Sequence, residues 1–513
     1  MLGLLRPRLT LTDDSLTNDS LTIQTANGAI TGHVSTSHTE VLEFLGIPFA
    51  QPPIGDLRWE APQKYHANNS YLANTFVTDA ILCSDCPYAR ISLYTYPGET
   101  EQFPRIMKAF VASEGNNSQS EDCLTLNIWT RLPLQILKPV YVHFYGGRYT
   151  SGTANTPFYL GAGLASTQDI IVVTVNYRMN VFGFPGIPSL STSNLGLLDQ
   201  RAAIEWLRDN IEAFGGDANR IVISGQSCGG AMVDYWAYAW PDDPIVAGLI
   251  SHSGTALSFG GNTLDLSARN WANITVQLGC HTAPDVLACM KRQSVSALLI
   301  AAGKIPTFST GTVGRTLPAF EATIDNVTIF SDYETLSSKG RFARVPYLLG
   351  HNDNEAGFYK TAVYMQGKNL TAEQWQTFNE NTFTCPTDFQ AAHRVRFGVP
   401  AWRFRYFADW NNTRLYPTSG AYHGVDLNMI YGNSELFTGL PASAGQDQLT
   451  SRMQAAWAAF VIDPTAGLSK VGWPVFDLNN NTLICLGYNN QPGVALVNPS
   501  LYNRACTHLS NGY

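Results

Sequence analysis

The run Arg220-Ile-Val-Ile-Ser-Gly225-Gln226-Ser227-Cys228-Gly229-Gly230-Ala231 decides how this chain is read. Its first part, Ile221-Val222-Ile223, is a short β-branched apolar run of the kind that forms a buried strand. From Gly229 through Trp236 the residues suit a packed helix. Between the two lies Gly225-X-Ser227-X-Gly229. A serine on such a strand-to-helix turn has its hydroxyl exposed at the end of a sheet, and small neighbours let the turn close. The helix N-terminus then faces the serine and favours negative charge developing there. The five-residue pattern alone is weak, because glycine-rich turns with idle serines are common. Its place between a strand and a helix gives it weight and nominates Ser227 as a nucleophile.

Further apolar runs lie on both sides. Pro139–Phe144, Asp169–Asn176 and Arg344–Leu349 are predicted strands, and Leu198–Phe214 is a predicted helix with Ala202, Ala203, Trp206 and Leu207 at helical spacing. Strand, helix, strand in that order implies parallel crossovers and an α/β fold. Open parallel sheets bind ligands at the carboxyl ends of their strands. The strand ending at Phe144 runs into Tyr145-Gly146-Gly147-Arg148-Tyr149. Consecutive glycines there let backbone N–H groups point at an oxyanion, although an ordinary strand-end turn looks the same.

The chain has 513 residues, 45% of them hydrophobic and 14% charged, a globular composition. A formal net charge of −8 with only 32 Lys plus Arg argues against nucleic acid or an anionic membrane surface as partner. No apolar run reaches the length of a spanning helix. No Cys/His cluster has zinc spacing, and neither metal nor cofactor is expected. Residues 1–20 read as a loose tail and 21–513 as one domain, without an evident signal peptide. Eight Asn-X-Ser/Thr sequons, at Asn18, Asn68, Asn116, Asn273, Asn326, Asn369, Asn411 and Asn480, together with nine cysteines, point to a secreted, disulfide-bonded glycoprotein. Nine is odd, so at least one cysteine is unpaired within the chain. Cys280 and Cys289 are close enough to close a small loop, Cys123 is expected to pair with Cys83 or Cys86, and Cys228 is expected as a packed free thiol. Pairing of Cys385, Cys485 and Cys506 stays open.

Several blocks in fixed order carry a resemblance. They are Phe44-Leu-Gly-Ile-Pro-Phe-Ala-Gln-Pro-Pro-Ile-Gly-Asp-Leu-Arg-Trp59, Ser120-Glu-Asp-Cys-Leu-Thr-Leu-Asn-Ile-Trp129, Asn176–Phe184, Gly196-Leu-Leu-Asp-Gln200 and Phe214-Gly-Gly-Asp217. With them the chain resembles the type-B carboxylesterase/lipase family, which includes the cholinesterases and several fungal lipases. The resemblance implies an α/β-hydrolase fold: a large, mostly parallel central sheet flanked by helices, with lid-like and cap insertions. It also implies hydrolysis of small-molecule or lipid carboxylic esters through an acyl-enzyme. Its acid falls on Glu355, in Gly350-His-Asn-Asp-Asn-Glu355, with Asp353 as a nearby competitor. Its histidine falls on His423, in Ala421-Tyr-His423-Gly-Val-Asp426, and the chain order Ser, acid, His is the one this fold uses. By the same resemblance Ser253 hydrogen-bonds on the acid side, and Gly147, Arg148 and Cys228 supply the oxyanion-binding N–H groups. His252 and His351 lie near these blocks and read either as supports of the site residues or as structural.

Two positions depart from the family. Gln226 stands where the family usually has glutamate, a change expected to have modest effect. Arg148 stands where it usually has glycine or alanine. If that position needs φ > 0 an arginine is strained there, and its side chain is expected either to narrow substrate choice or to attract an acidic group. A bridge from Cys83 to Cys123 would tether an apolar loop, from Ile91 to Phe110, that resembles a lipase lid; a packed flap without gating is the alternative. The other functional readings are a non-hydrolytic acyl-transfer or cyclising enzyme and a catalytically silent binding protein on the same scaffold. Oligomeric state is not readable.

Overall fold

The predicted strands form at the centre of a 13-stranded sheet, as Lys138–Phe144, Ile171–Val175, Gly216–Gln226 and Tyr347–Asn352. The structure, a computed structural model, describes residues 21–65, 71–72, 84–88, 95–110, 118–190, 193–306 and 318–506. The expected tail of residues 1–20, Cys83, Ile91, Leu93 and Tyr94 lie outside these. Every residue of Lys138–Phe144 and Ile171–Val175 is buried. A strand covered on both faces reads as a continuous apolar run, because neither face has to be polar.

From edge to edge the sheet runs Leu21–Thr25, Gly28–Val34, Val41–Pro48, Thr125–Arg131, Ile171–Val175, Lys138–Phe144, Gly216–Gln226, Gly248–His252, Tyr347–Asn352, Ala401–Tyr406, Leu483–Leu486 and Val494–Val497. The seven strands from Ile171–Val175 to Leu483–Leu486 are mutually parallel, and the flanking pairs are antiparallel. Several boundaries differ from expectation. The strand predicted to start at Arg344 starts at Tyr347, because Pro346 has no N–H to give a ladder. It also runs on through Gly350-His351-Asn352, whose polarity hides it. The helix predicted from Leu198 begins a turn earlier, spans Leu195–Asn210 and tightens into a 3₁₀ turn at Ile211–Phe214. Its early turn contains Gly196, where a β-carbon would come within 2.5 Å of Arg178 O.

Buried ion pairs tie together sequence blocks that lie far apart. Arg58 of the first block donates through Nε and Nη2 to Glu121 of the second, at 2.7 and 2.5 Å. Arg178 forks onto Asp199 in the same way, at 2.8 and 2.7 Å. Removing one partner of such a pair costs roughly 3–5 kcal/mol, since the other charge is left buried. Disulfides join Cys86 to Cys123, Cys280 to Cys289 and Cys385 to Cys506. Cys228 and Cys485 are free and buried. Burial pushes the Cys485 thiol up to about 12, which leaves it unreactive near neutrality. Inside the Cys86–Cys123 segment the helix Phe103–Phe110 packs Phe103, Ile106 and Met107 into the core. Among the described residues no helix is long and apolar enough to cross a membrane.

Candidate active site

Strand Gly216–Gln226 ends directly on Ser227, and helix Cys228–Ala239 starts at the next residue. Ser227 has φ 57° and ψ −124°. A non-glycine residue held there costs about 1–3 kcal/mol unless its surroundings fix it. They do: Ser227 N–H donates to His252 O at 2.8 Å and Ser227 O accepts from Ala231 N–H at 2.9 Å. The turn also explains its two glycines. A β-carbon on Gly225 would sit 2.3 Å from Gly229 O, and one on Gly229 would sit 2.3 Å from Phe144 O.

Glu355 follows strand Tyr347–Asn352 at the start of helix Ala356–Met365 and is fully buried. One carboxylate oxygen, Oε2, lies 2.5 Å from His423 Nδ1. The other, Oε1, accepts from Ser253 Oγ at 2.6 Å and from Asn352 N–H at 2.7 Å. A carboxylate facing Nδ1 fixes the ring proton there, which makes Nε2 the acceptor. Nε2 accepts from the Gln226 side-chain amide at 3.0 Å and from the Tyr359 hydroxyl at 3.3 Å. Ser227, His423, Gln226 and Tyr359 line one cavity of about 90 Å³, which Phe110 and Phe358 help to wall.

The loop after Phe144 lines the same cavity with Gly147 and Arg148. Gly147 has φ 122°, and a β-carbon there would lie 1.9 Å from Ser151 O, so only glycine fits. Among the described residues no hydrogen bond engages Gly147 N–H. Arg148 and Tyr149 follow at φ 58° and 62°. Position 148 therefore does require positive φ, at a cost of roughly 1–2 kcal/mol for an L side chain. The loop is held from several sides. Tyr149 N–H donates to Cys228 Sγ at 3.3 Å. Asn180 N–H donates to Tyr149 O at 2.6 Å, and Thr150 and Ser151 N–H both donate to Gly147 O at 3.1 Å.

The other candidates lie apart from the cavity. Asp353 pairs with Arg405 at 2.8 Å, its side chain 40% exposed. His351 is buried and donates from Nδ1 to Asn352 O at 2.9 Å. Burial, with the cations of Arg405 and Arg403, holds its ring well below the usual histidine range and so uncharged. His252 Nδ1 donates to Asp426 Oδ2 at 2.7 Å, and Trp457 Nε1 donates to His252 Nε2 at 3.2 Å. Asn352 Nδ2 donates to the other Asp426 oxygen at 2.9 Å. Burial raises the Asp426 carboxyl, but the hydrogen bond and charge of His252, with Asn352 and His423, outweigh it and hold the group below its ordinary value. The sequence motifs name Asp426 only as the acid after His423 and give no role to Asn352 or Tyr359. Tyr359 had a usable signal: four residues past Glu355, it lies one helical turn on along the same face. Among the described residues no group of three His, Cys, Asp or Glu side chains gathers as a metal centre requires.

A mostly parallel sheet flanked by helices, with a serine at a strand-to-helix turn facing a buried His–Glu pair, defines an α/β-hydrolase. The Carboxylesterase family model matches residues 19–383, and the chain belongs to that family. It is 32% identical to the chlorogenic acid esterase of Aspergillus niger, over 91% of this chain and 90% of that protein. It is 31% identical to secreted lipase 5 of Gibberella zeae, over 89% and 88% of the two chains. To the acetylcholinesterase of Bungarus fasciatus it is 26% identical, over 95% and 85%. The resemblance drawn from the sequence blocks is thus borne out, and the protein is a carboxylic-ester hydrolase.

Proposed function

We propose that this enzyme cleaves small-molecule esters through Ser227, His423 and Glu355, by way of an acyl-enzyme. The observation that carries this reading is the buried 2.5 Å contact between Glu355 and His423 Nδ1, which leaves Nε2 as an acceptor in the cavity that Ser227 lines. A serine hydroxyl is a weak nucleophile near neutral pH and needs such a base. As the ester seats, Ser227 displaces Gln226 and Tyr359 from Nε2. Ser227 Oγ attacks the carbonyl carbon while its proton passes to His423 Nε2. Glu355 stabilises the imidazolium and keeps the ring oriented. The tetrahedral oxyanion is held by backbone N–H groups of Gly147, Arg148 and Cys228, each worth roughly 10²–10³ in rate. Collapse of the intermediate expels the alcohol, which takes the Nε2 proton. Water, deprotonated by the same nitrogen, then releases the carboxylic acid and restores Ser227.

We propose in addition that the enzyme works outside the cell. Three disulfides fit an oxidising compartment, and a fungal relative is itself named a secreted lipase. The test of the chemistry is a serine-directed fluorophosphonate, with the adduct located by mass spectrometry and Ser227→Ala run on a short-chain chromogenic ester. An adduct on Ser227 and loss of turnover in the variant is the expected result. An unlabelled, folded wild type would sink the proposal.

A further inference from the structure

Resting on that reading of the site, we infer that the enzyme selects esters that carry a free carboxylate, and that Arg148 is the residue that recognises it. Three observations converge. The first is charge. Among the described residues lining the Ser227 cavity, Arg148 brings the one guanidinium, and no lysine, aspartate or glutamate is present. Gln226, next to the nucleophile, is neutral, and its amide is turned onto His423 Nε2 at 3.0 Å. Of the buried carboxylates around the site, Glu355 and Asp426 are committed to His423 and His252, and Glu321, close enough to act on Tyr149, does not line the cavity. An anion entering this cavity meets a wall that includes an arginine and no carboxylate.

The second observation is position. Arg148 and Thr150 line both the Ser227 cavity and a neighbouring one of about 210 Å³ that also touches Asn180 and Phe320. The guanidinium-bearing residue therefore stands in the wall between the reacting ester and the space beyond it, where the rest of a substrate extends. The third is strain. Arg148 sits at φ 58° on the loop that offers the oxyanion donors. Glycine would relieve that strain, and a charged side chain held at a strained position beside a site points to use of the side chain. Guanidinium binds carboxylate through paired, charge-assisted hydrogen bonds, which strengthen away from bulk water.

The measurement is a selectivity ratio, kcat/KM for a carboxylate ester over kcat/KM for its own methyl ester. One pair places the acid on the alcohol side (3-acetoxybenzoate and its methyl ester); another places it on the acyl side (mono-4-nitrophenyl adipate and its methyl ester). For at least one pair the wild-type ratio is expected to exceed about tenfold and to shrink as salt is raised. Arg148→Gln should cut that ratio about tenfold or more, Arg148→Lys should retain much of it, and Gln226→Glu should lower it by returning a negative charge. A structural role for Arg148 would lower both rate constants together and leave the ratio unchanged. Where Arg148→Gln does not fold, the salt dependence and Gln226→Glu carry the test. A wild type that cleaves the neutral esters but shows no preference in either pair, or a ratio untouched by Arg148→Gln, overturns the inference alone. A wild type that cleaves none of the four and takes no fluorophosphonate overturns the hydrolytic mechanism itself.

Discussion

Glu355 divides its two oxygens between different tasks, and the residues on each can be separated by mutation. Oε2 faces His423, while Oε1 is held by the Ser253 hydroxyl and Asn352 N–H. Glu355→Gln keeps the size but offers an amide where Nδ1–H needs an anion, and kcat should fall by roughly 10⁴. Ser253→Ala leaves Oε1 with the backbone donor alone. Losing one hydrogen bond to a charged group should lower kcat about tenfold, with KM little changed, because the acid is loosened and substrate contacts are not. Steady-state kinetics with one chromogenic ester separates the cases; an unaltered kcat in Ser253→Ala would mean that the hydroxyl only fills space. The family resemblance nominated Glu355 and His423, and the structure brings these two side chains into contact, so that pairing was legible in the sequence. What Gln226 does was not. Its amide meets His423 across a separation of 197 residues, a contact between a strand end and a loop whose approach no local pattern encodes.

Charge hides elements as well as marking sites. Ala401–Tyr406 is buried along its whole length, yet it reads Ala-Trp-Arg-Phe-Arg-Tyr. Arg403 is matched by Asp388 at 2.6 Å and Arg405 by Asp353 at 2.8 Å. Two arginines in six residues conceal a core strand, because their partners come from elsewhere in the chain. Pro139–Phe144 and Ile171–Val175 contain no Arg, Lys, Asp or Glu and were legible as strands. The His252–Asp426 pair works at this same scale, joining strand Gly248–His252 to the loop that carries His423. The Asp426 carboxyl is held below its ordinary value of 3.8. A depressed carboxyl stabilises the fold fully above that ordinary value, and the contribution is lost as pH falls through the lowered one. Asp426→Asn removes it at every pH and leaves His252 buried without its anion. The variant should lose about 3–5 kcal/mol at neutral pH. The gap to wild type should narrow as the pH drops below 3.8. Urea unfolding of both proteins along a pH series checks this, and a constant gap would show that Asp426 contributes by shape rather than charge.

At the scale of the whole molecule, the covalent features bear on where the enzyme works. The Cys385–Cys506 bridge spans a separation of 121 residues and ties the end of the described chain back to a helix. The sequons supply a second, independent line. Five of the eight lie in described residues, at Asn273, Asn326, Asn369, Asn411 and Asn480, and all five asparagines are exposed. They lie on separate surface segments, so each could carry a glycan without disturbing the packed sheet. Sequence alone reported only that the tripeptides exist, and a sequon buried in a core strand would have counted equally. Expressed through a eukaryotic secretory route, the protein should carry N-glycans at several of these five positions. Enzymatic deglycosylation in ¹⁸O water followed by peptide mapping would mark each occupied asparagine as a labelled aspartate. Labelling at several of the five supports passage through the glycosylating compartment with the fold intact. Complete absence of label, from a host that glycosylates a control protein, would remove the sequons as support for an extracellular enzyme and leave that proposal on the disulfides and the secreted relative.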